Sequence, residues 1–513
     1  MDAASPQAPA SLGISRNVTL VALALATFMQ VLDTTIANVS IPTIAGYLGV
    51  SSDQGTWIIT SFAVANGVSV PLTGWLMRRF GVVHTFVASV VLFTVASVLC
   101  GLSGSMTELI FFRVLQGGVS GPIIPGSQAL LLTLFPENRK GTALAIWSMT
   151  TLLAPICGPI LGGYISDNYA WGWIFLINIP VGIFSALVCW RSLKSRETVA
   201  HKLRIDGVGL ALLVVWVGSL QVMLDQGKDL DWFNSNVIVG LCIVTVVCLA
   251  AWIIWELSEE QPIVDLSLFK YQNFTLGTLT LCLAYGLFFG NIVLMPLWLQ
   301  TQVNYTATWA GIVTAPSGIT ALLVAPFVGR FIGRFDARWF ATVSFVIFGI
   351  SYFMRAAYPP DASLWVFALP TLVQGFAMGM FFIALLTITF DRLPANKLPA
   401  ATGLNNFLRI TASGFATSLT TTFWDRREAL HQSRLVESLS AFSPAFREGV
   451  GTIMGLGLSN HSADAAVSKA VVGQAYLLST LDLFYLFGWI VLLLIPMCWI
   501  VRRPAGAAVA GGE

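Results

Sequence analysis

The chain has 513 residues, 56% of them hydrophobic and only 10% charged, with a mean hydropathy of +0.78. Ordinary soluble domains carry about 25% charged residues, so the composition excludes a soluble globular class and describes a polytopic membrane protein. A formal net charge of +2, with no basic run and no zinc-ligand spacing, gives no footing for nucleic acid.

The first seventeen residues, MDAASPQAPASLGISRN, are polar and rich in Ala, Pro and Ser. The apolar run that follows is about 24 residues, longer than a signal-peptide core, and reads as a retained first span. A membrane crossing takes about 20 apolar residues. By that length fourteen segments qualify: 18–41, 55–77, 82–102, 107–133, 141–165, 171–191, 206–225, 235–256, 274–299, 308–332, 339–357, 364–390, 400–424 and 475–500. The first six and the last six form comparable blocks, with the seventh and eighth inserted between them.

In chain order, the first anomaly is VLDTTIANVSIP. It places Asp33 inside an apolar run, where a charge costs about 2.5–3.5 kcal/mol at a helix centre. Asn38, five residues on, need not share its face and is a supporting residue only. Next, GWLMRRFGVVHTF is a short turn of Gly74, Arg78, Arg79 and Gly81 between the second and third segments. It is either a positively charged anchor or a latch. In LIFFRVLQGGVSG, Arg113 falls about two turns into the fourth segment, and a guanidinium does not shed its charge. Gln116 lies three residues on, on the same face. Gly117 and Gly121 allow a close helix contact. Arg113 is either an interhelical clamp or a charge that tunes a nearby acid. In APICGPILGGYISD, Pro155 and Pro159 remove backbone donors and bend the helix, while Gly158, Gly162 and Gly163 let another backbone approach. Later in the chain, Arg409 and Asp482 are further polar residues within apolar segments, either lining a cavity or lying near an interface. Segment 425–474 is long and polar. It is a solvated loop with some helix, or a docking surface.

Lys and Arg collect on the cytoplasmic side of a membrane protein. With the N-terminus inside, 18 of the 27 fall on that side, and only Lys228 and Arg355 fall in short outward links. Both tails then face the cytoplasm. A weak internal repeat relates PLTGWLMRRFG to APFVGRFIGRFDAR, and LQGGVSG to VQGFAMG, at offsets of 255 and 258. The repeat places Thr371 where the first half has Arg113. Such repeats build transporters with a site at the midplane between the halves.

Together these segments, with QGTWIITSF, WGWIF and IVDLSLF, resemble the major facilitator superfamily, specifically its fourteen-span drug:proton antiporters, over nearly the whole chain. LDTTIANVSIP is similar to the first-span motif of that group. RVLQGGVSG is similar to the fourth-span motif whose arginine is tied to proton coupling, and GPILGG to the motif associated with export. The chain departs from the pattern at Arg78, where the loop motif usually carries an acid, and at Ala154, where the export motif usually starts with glycine.

The resemblance implies an all-α major facilitator fold of 14 transmembrane helices (6 + 2 + 6), two pseudo-repeated six-helix bundles around a central cavity. Its parts are a cytoplasmic tail 1–17, a bundle 18–191, a linker with two inserted helices 192–270, a bundle 271–500 that includes the extracytoplasmic loop 425–474, and a tail 501–513. It further implies proton-driven export of amphipathic toxic compounds across a bacterial inner membrane, with a periplasmic adaptor (a membrane-fusion protein) and an outer-membrane channel as partners. The rival is a dedicated exporter of one metabolite or siderophore. Burial raises the pKa of a carboxyl and a nearby arginine lowers it. Asp33 and Arg113 opposed in this way make a proton carrier, or else a fixed structural pair. No enzyme is expected: His84, His201, His431 and His461 are scattered, and no nucleotide-binding GxxxxGK[ST] loop exists. No metal or cofactor is expected beyond the proton gradient. The seven cysteines, with no CxxC pair, read as small buried thiols rather than a disulfide framework.

Overall fold

The computed structural model describes residues 15–50, 52–55, 57–135, 137–200, 206–359, 363–438, 447–448 and 460–502. The regular structure among these residues is all helix, with no strand. The helices are α1 (Arg16–Leu48), α2 (Ser52–Gly55), α3 (Trp57–Ser69), α4 (Thr73–Phe80), α5 (Val82–Gly101), α6 (Met106–Ser120), α7 (Ile123–Leu134), α8 (Glu137–Asn168), α9 (Trp173–Leu176) and α10 (Asn178–Leu193). They continue as α11 (Gly207–Gln226), α12 (Asn236–Ser258), α13 (Gln272–Thr301), α14 (Ala307–Phe331), α15 (Ala337–Arg355), α16 (Leu364–Phe390) and α17 (Leu398–Ser438). The chain closes with helices Asn460–Leu493 and Ile495–Ile500.

Ten helical stretches among the described residues are long and apolar enough to cross a membrane, or eleven if the bent pair α3/α4 is one span. The expected segments outside that set also fall on helix: 107–133 on α6 and α7, 141–165 on α8, and 400–424 on α17. Prolines explain the breaks. Pro71 sits where α3 and α4 meet at 56°, and Pro122 separates α6 from α7. A proline supplies no N–H to the helix ladder and its ring crowds the preceding turn.

Close helix contacts follow the small residues. A Cβ on Gly117 would lie 2.5 Å from the Phe62 carbonyl oxygen, and one on Gly121 2.4 Å from Ser69, so α6 packs backbone to backbone on α3. The repeat reproduces this contact. Gly375, at the same offset of 258, would meet the Ser317 carbonyl at 2.4 Å, and Gly379 would meet Val324 at 3.0 Å, joining α16 to α14. The inserted helices α11 and α12 pack on each other, and α11 also touches α3 and α17. Outward, α12 exposes Val246, Val247, Ile254 and Leu257, an apolar face suited to lipid. The seven cysteines are all free; Cys100, Cys189, Cys282 and Cys498 are buried, and the other three half-buried.

Helix, expected for part of the polar segment 425–474, takes up much of its described part: α17 continues unbroken to Ser438, and the next helix starts at Asn460. With 41 residues at about 1.5 Å each, α17 is roughly twice the length a bilayer core requires.

Candidate functional site

Asp33 lies midway along α1, 1% exposed, and Arg113 on α6 is wholly buried. Burial of both charges demands that each find partners, and the sequence supplies them from four helices. The Arg113 Nη1 donates to Asp33 Oδ2 at 2.6 Å and to Gln116 Oε1 at 2.8 Å, and its Nε donates to the Ile58 carbonyl at 3.0 Å. The other carboxylate oxygen, Asp33 Oδ1, accepts from Gln116 Nε2 at 3.0 Å and from Asn178 Nδ2 at 2.9 Å. Asn178 also donates to Ser97 Oγ at 3.0 Å. The rings of Phe62 and Phe175 lie 4.3 and 5.6 Å from the guanidinium carbon and close the site. Arg113 Nη2 has no hydrogen-bond partner. This is a carboxyl group and a guanidinium sealed from solvent, with both carboxyl oxygens engaged.

The motif reading therefore brings together Asp33, Arg113 and Gln116, and misses Asn178 and Ser97. Asn178 opens α10 directly after the WGWIF stretch; a polar residue at a helix start draws no notice as a charge anomaly does. The Asn38 side chain lies outside the described residues.

The same positions in the second half form a counterpart. At an offset of 258, Asp33 becomes Asn291, Arg113 becomes Thr371, Gln116 becomes Gln374 and Ser97 becomes Arg355. These four are in contact. Arg355 Nη1 donates to Asn291 Oδ1 at 3.0 Å, and its Nη2 donates to Gln374 Oε1 at 2.5 Å and to Thr371 Oγ1 at 3.3 Å. Asn291 Nδ2 donates to Gln374 Oε1 at 3.3 Å. Arg355, expected in a short outward link, is instead 1% exposed at the end of α15. Its side chain turns back into the bundle, where uncharged acceptors hold both Nη groups. The repeat's arginine has thus moved from the α6 position to the α5 position, and its acid has become an amide.

The glycines of the export-type motif sit beside Asp33. A Cβ on Gly158 would fall 2.1 Å from Thr35 Oγ1, and one on Gly162 3.0 Å from the Ile36 carbonyl oxygen. Thr35 Oγ1 donates across to the Ala154 carbonyl at 3.3 Å. Gly163 corrects the expectation for its class: nothing lies within 4 Å of its Cβ position. Adjacent residues on a helix point about 100° apart, so only one of the Gly162–Gly163 pair can face α1. The Pro155 and Pro159 side chains lie outside the described residues; α8 runs through them without a break in helix assignment.

On the loop between α4 and α5, Gly81 takes φ +90°, a conformation that favours glycine. Gly74 packs 3.0 Å, measured from its Cβ position, from Ala400 of α17. Arg78 Nη2 donates to the Pro262 carbonyl at 3.2 Å, and Arg79 lies over the Phe80 ring. The departure from an acid at position 78 is accommodated by a carbonyl acceptor on the segment that precedes α13. Nearby, Asp265 accepts from Ser267 and pairs with Lys397 at 3.4 Å.

Arg409 and Asp482 join neither network. Arg409 is 1% exposed on α17, against the adjoining rings of Tyr285 and Phe382. Asp482 is 38% exposed and is held by Arg427 and by His431, the latter at 2.7 Å; it belongs to a partly solvated cluster. A cavity of about 390 Å³ opens between α11 and α17, lined in part by Asp225, Lys228, Asp229, Ser413 and Thr421. Among the described residues no group of His, Cys, Asp and Glu could hold a metal ion.

Glycine-packed helix pairs, a repeated polar network and long apolar helices are those of a multi-pass membrane protein, and the family and relatives make it a transporter, not an enzyme. The chain belongs to the Major Facilitator Superfamily, whose family model matches residues 23–417. It is 49% identical over 501 residues to the multidrug export protein EmrB of Escherichia coli (strain K12), covering 98% of each chain. It is 44% identical over 482 residues to the fatty acid resistance protein FarB of Neisseria gonorrhoeae, covering 94% of this chain and 95% of that one. Among solved structures it is similar in fold to the human organic anion transporter MFSD10 (TETRAN), with a TM-score of 0.58, 13% identity, and coverage of 94% of this chain and 99% of that one.

Proposed function

We propose that this protein exports amphipathic toxic compounds of several kinds by exchanging them for protons. The carrying observation is the sealed cluster of Asp33 with Arg113, Gln116 and Asn178. Protonation removes the charge from Asp33 and with it the ion pair to Arg113, whose guanidinium keeps its charge. Asp33 takes its proton in the outward-facing state and releases it in the inward-facing state. The contact of Thr35 and Ile36 with Gly158 and Gly162 carries the change from α1 to α8. An exported compound competes for the protonated state through the conformational equilibrium, since each ligand shifts it by its differential affinity. No cofactor takes part beyond the proton gradient.

In this reading the chain crosses the membrane fourteen times, as bundles 18–191 and 271–500 with the pair in 192–270 inserted and both termini in the cytoplasm. The membrane is a bacterial inner membrane. Segment 425–474 faces the periplasm and meets an adaptor protein that leads to an outer-membrane channel. Two extensive relatives are named for different cargo, multidrug export and fatty acid resistance, which favours a broad exporter over one dedicated to a single metabolite or siderophore.

The test is drug movement in proteoliposomes under an imposed pH gradient, wild type beside Asp33→Asn. Gradient-driven movement in the wild type, lost in the variant while drug binding persists, supports the reading. A variant that still couples to the gradient makes Asp33 structural.

A further inference from the structure

We infer that Asp225, at the end of the inserted helix α11, is a positioning residue for the Asp33–Arg113 site and acts on it through α3. The inference rests on the export reading and gives the inserted helices a part in coupling.

Residues two apart on a helix point about 200° apart, so α3 turns Ile58 and Phe62 one way and Thr60, Val64 and Gly67 the other. The first set holds Arg113. Its Nε donates to the Ile58 carbonyl at 3.0 Å, and the Phe62 ring lies 4.3 Å from its guanidinium carbon. The second set meets α11. Thr60 Oγ1 donates to Asp225 Oδ2. Val64 lies 3.9 Å from the Cβ position of Gly218, and a Cβ on Gly67 would lie 3.1 Å from Val217. Thus α3 is held between the helix that carries Arg113 and the inserted helix. Ile58 and Thr60 both belong to its first turn, which starts at Trp57. The N–H groups of a first turn have no partners within the helix, so contacts from outside matter most there.

The same end of α11 is fastened to the second half. Ser418 Oγ of α17 donates to the Leu224 carbonyl at 2.7 Å, and Trp232 Nε1 donates to Thr422 Oγ1 at 2.9 Å. Asp225 therefore sits where α11 is tied to both halves, on the cavity it shares with Lys228 and Asp229. Lys228 turns to Asp425, at 2.9 Å, rather than to Asp225. A displacement of α17 reaches α11 at Leu224, α3 at Thr60 and Arg113 at Ile58. Arg113 is the charged group that faces Asp33, and the Cys100 thiol of α5 donates to Gln116 Oε1 at 3.5 Å beside it.

The experiment follows the Asp33 carboxyl by infrared difference spectroscopy during a pH titration of the full-length protein in lipid nanodiscs. The band is identified by its loss in Asp33→Asn. Asp225→Leu and Thr60→Val each remove one partner of the α11–α3 bond. A less firmly held Arg113 favours ionised Asp33 less. Both variants are therefore expected to move the midpoint to higher pH by about one unit, and the double variant no further than either alone. Asp225→Asn, which keeps an acceptor oxygen for Thr60, is expected to move it less. A midpoint unmoved in both variants overturns the inference; if Asp225→Leu does not fold, Thr60→Val decides. A second readout needs no titration. The change in melting temperature caused by Asp225→Leu, or by Thr60→Val, is measured with Arg113 in place and in Arg113→Gln. Residues that act through one another are non-additive, so the change should shrink in Arg113→Gln. An equal change in both backgrounds gives Asp225 a purely structural role and overturns the inference; if Arg113→Gln does not fold, the titration decides. The lack of any titrating Asp33 band defeats the export reading instead, and the melting-temperature comparison then decides on Asp225 alone.

Discussion

The two halves carry the same polar cluster on the same scaffold, and differ in what that cluster can do. In the first half an acid on α1 faces an arginine on α6, with Gln116 joining them. In the second half Asn291, Gln374 and Thr371 surround Arg355, which comes from α15. Both are buried and hydrogen-bonded; only the first contains a group that can change charge. A guanidinium held by amides and a hydroxyl keeps one state at any working pH. Under the proposed function, switching belongs to the first half and a fixed framework to the second.

The largest expected effect comes from removing the one feature the second half lacks. Asp33→Asn makes the first cluster resemble the second, and gradient-driven transport in proteoliposomes should fall to that of protein-free vesicles. The variant also leaves Arg113 buried without its anion, for which a loss of about 3–5 kcal/mol is typical. A thermal-unfolding comparison should show that loss alongside the coupling defect.

A second experiment asks whether the halves really are interchangeable. Arg113→Thr should cost transport nearly as much as Asp33→Asn. Adding Ser97→Arg to Arg113→Thr rebuilds the first cluster with the geometry of the second, its arginine on the α5 position. Ser97 Oγ is already bridged to Asp33 through Asn178, so the transplanted arginine should restore much of the coupling and stability. A double variant as inactive as Arg113→Thr breaks the equivalence.

The glycine contacts give a smaller, local effect. Gly158→Val pushes a side chain into Thr35, next but one to Asp33, where a Cβ has only 2.1 Å. Overpacking of this kind costs about 1–3 kcal/mol, and transport should slow. Gly163→Val, on the open side with nothing within 4 Å, should leave turnover and melting temperature near wild type. Equal defects in the two would remove the α1–α8 contact from the mechanism.

These contrasts also mark what was legible in the sequence. Helix positions were, because apolar runs of span length have few other solutions. Asp33, Arg113 and Gln116 were, because a buried charge obliges a partner. Arg355 was not: near a span end, charge is cheap and looks like an anchor, and nothing in the run SYFMRAAY tells that the side chain turns inward. Thr371 did signal that the repeat was chemically unequal, but the compensating arginine lay sixteen residues upstream on another helix, visible only when α15 and α16 are packed together. Asn178 and Ser97 are uncharged and common in spans, so only contact identifies them. Gly163 was misassigned because a motif records residue type and not the direction a helix turns it.

The smallest effect lies where the two halves meet the segment before α13. There Arg78 of the first half holds the Pro262 carbonyl, and Lys397, which precedes α17, holds Asp265 and Ser267. Burial alone would raise the Asp265 carboxyl, but the Ser267 hydrogen bonds and Lys397 outweigh it, and the group titrates below its ordinary value of 3.8. A carboxyl depressed in the folded state adds stability that is fully present above its unfolded pKa and fades as pH falls through its folded one. Wild type should therefore exceed Asp265→Asn by a constant margin at neutral pH, and the margin should shrink below about pH 4. The side chains of Asp265 and Lys397 are 19% and 30% exposed, so solvent screens the pair and the margin is at most about 1 kcal/mol. Thermal unfolding of both proteins from pH 3 to pH 8 reads it directly. A margin that grows on acidification would place the stabilising charge on some other group.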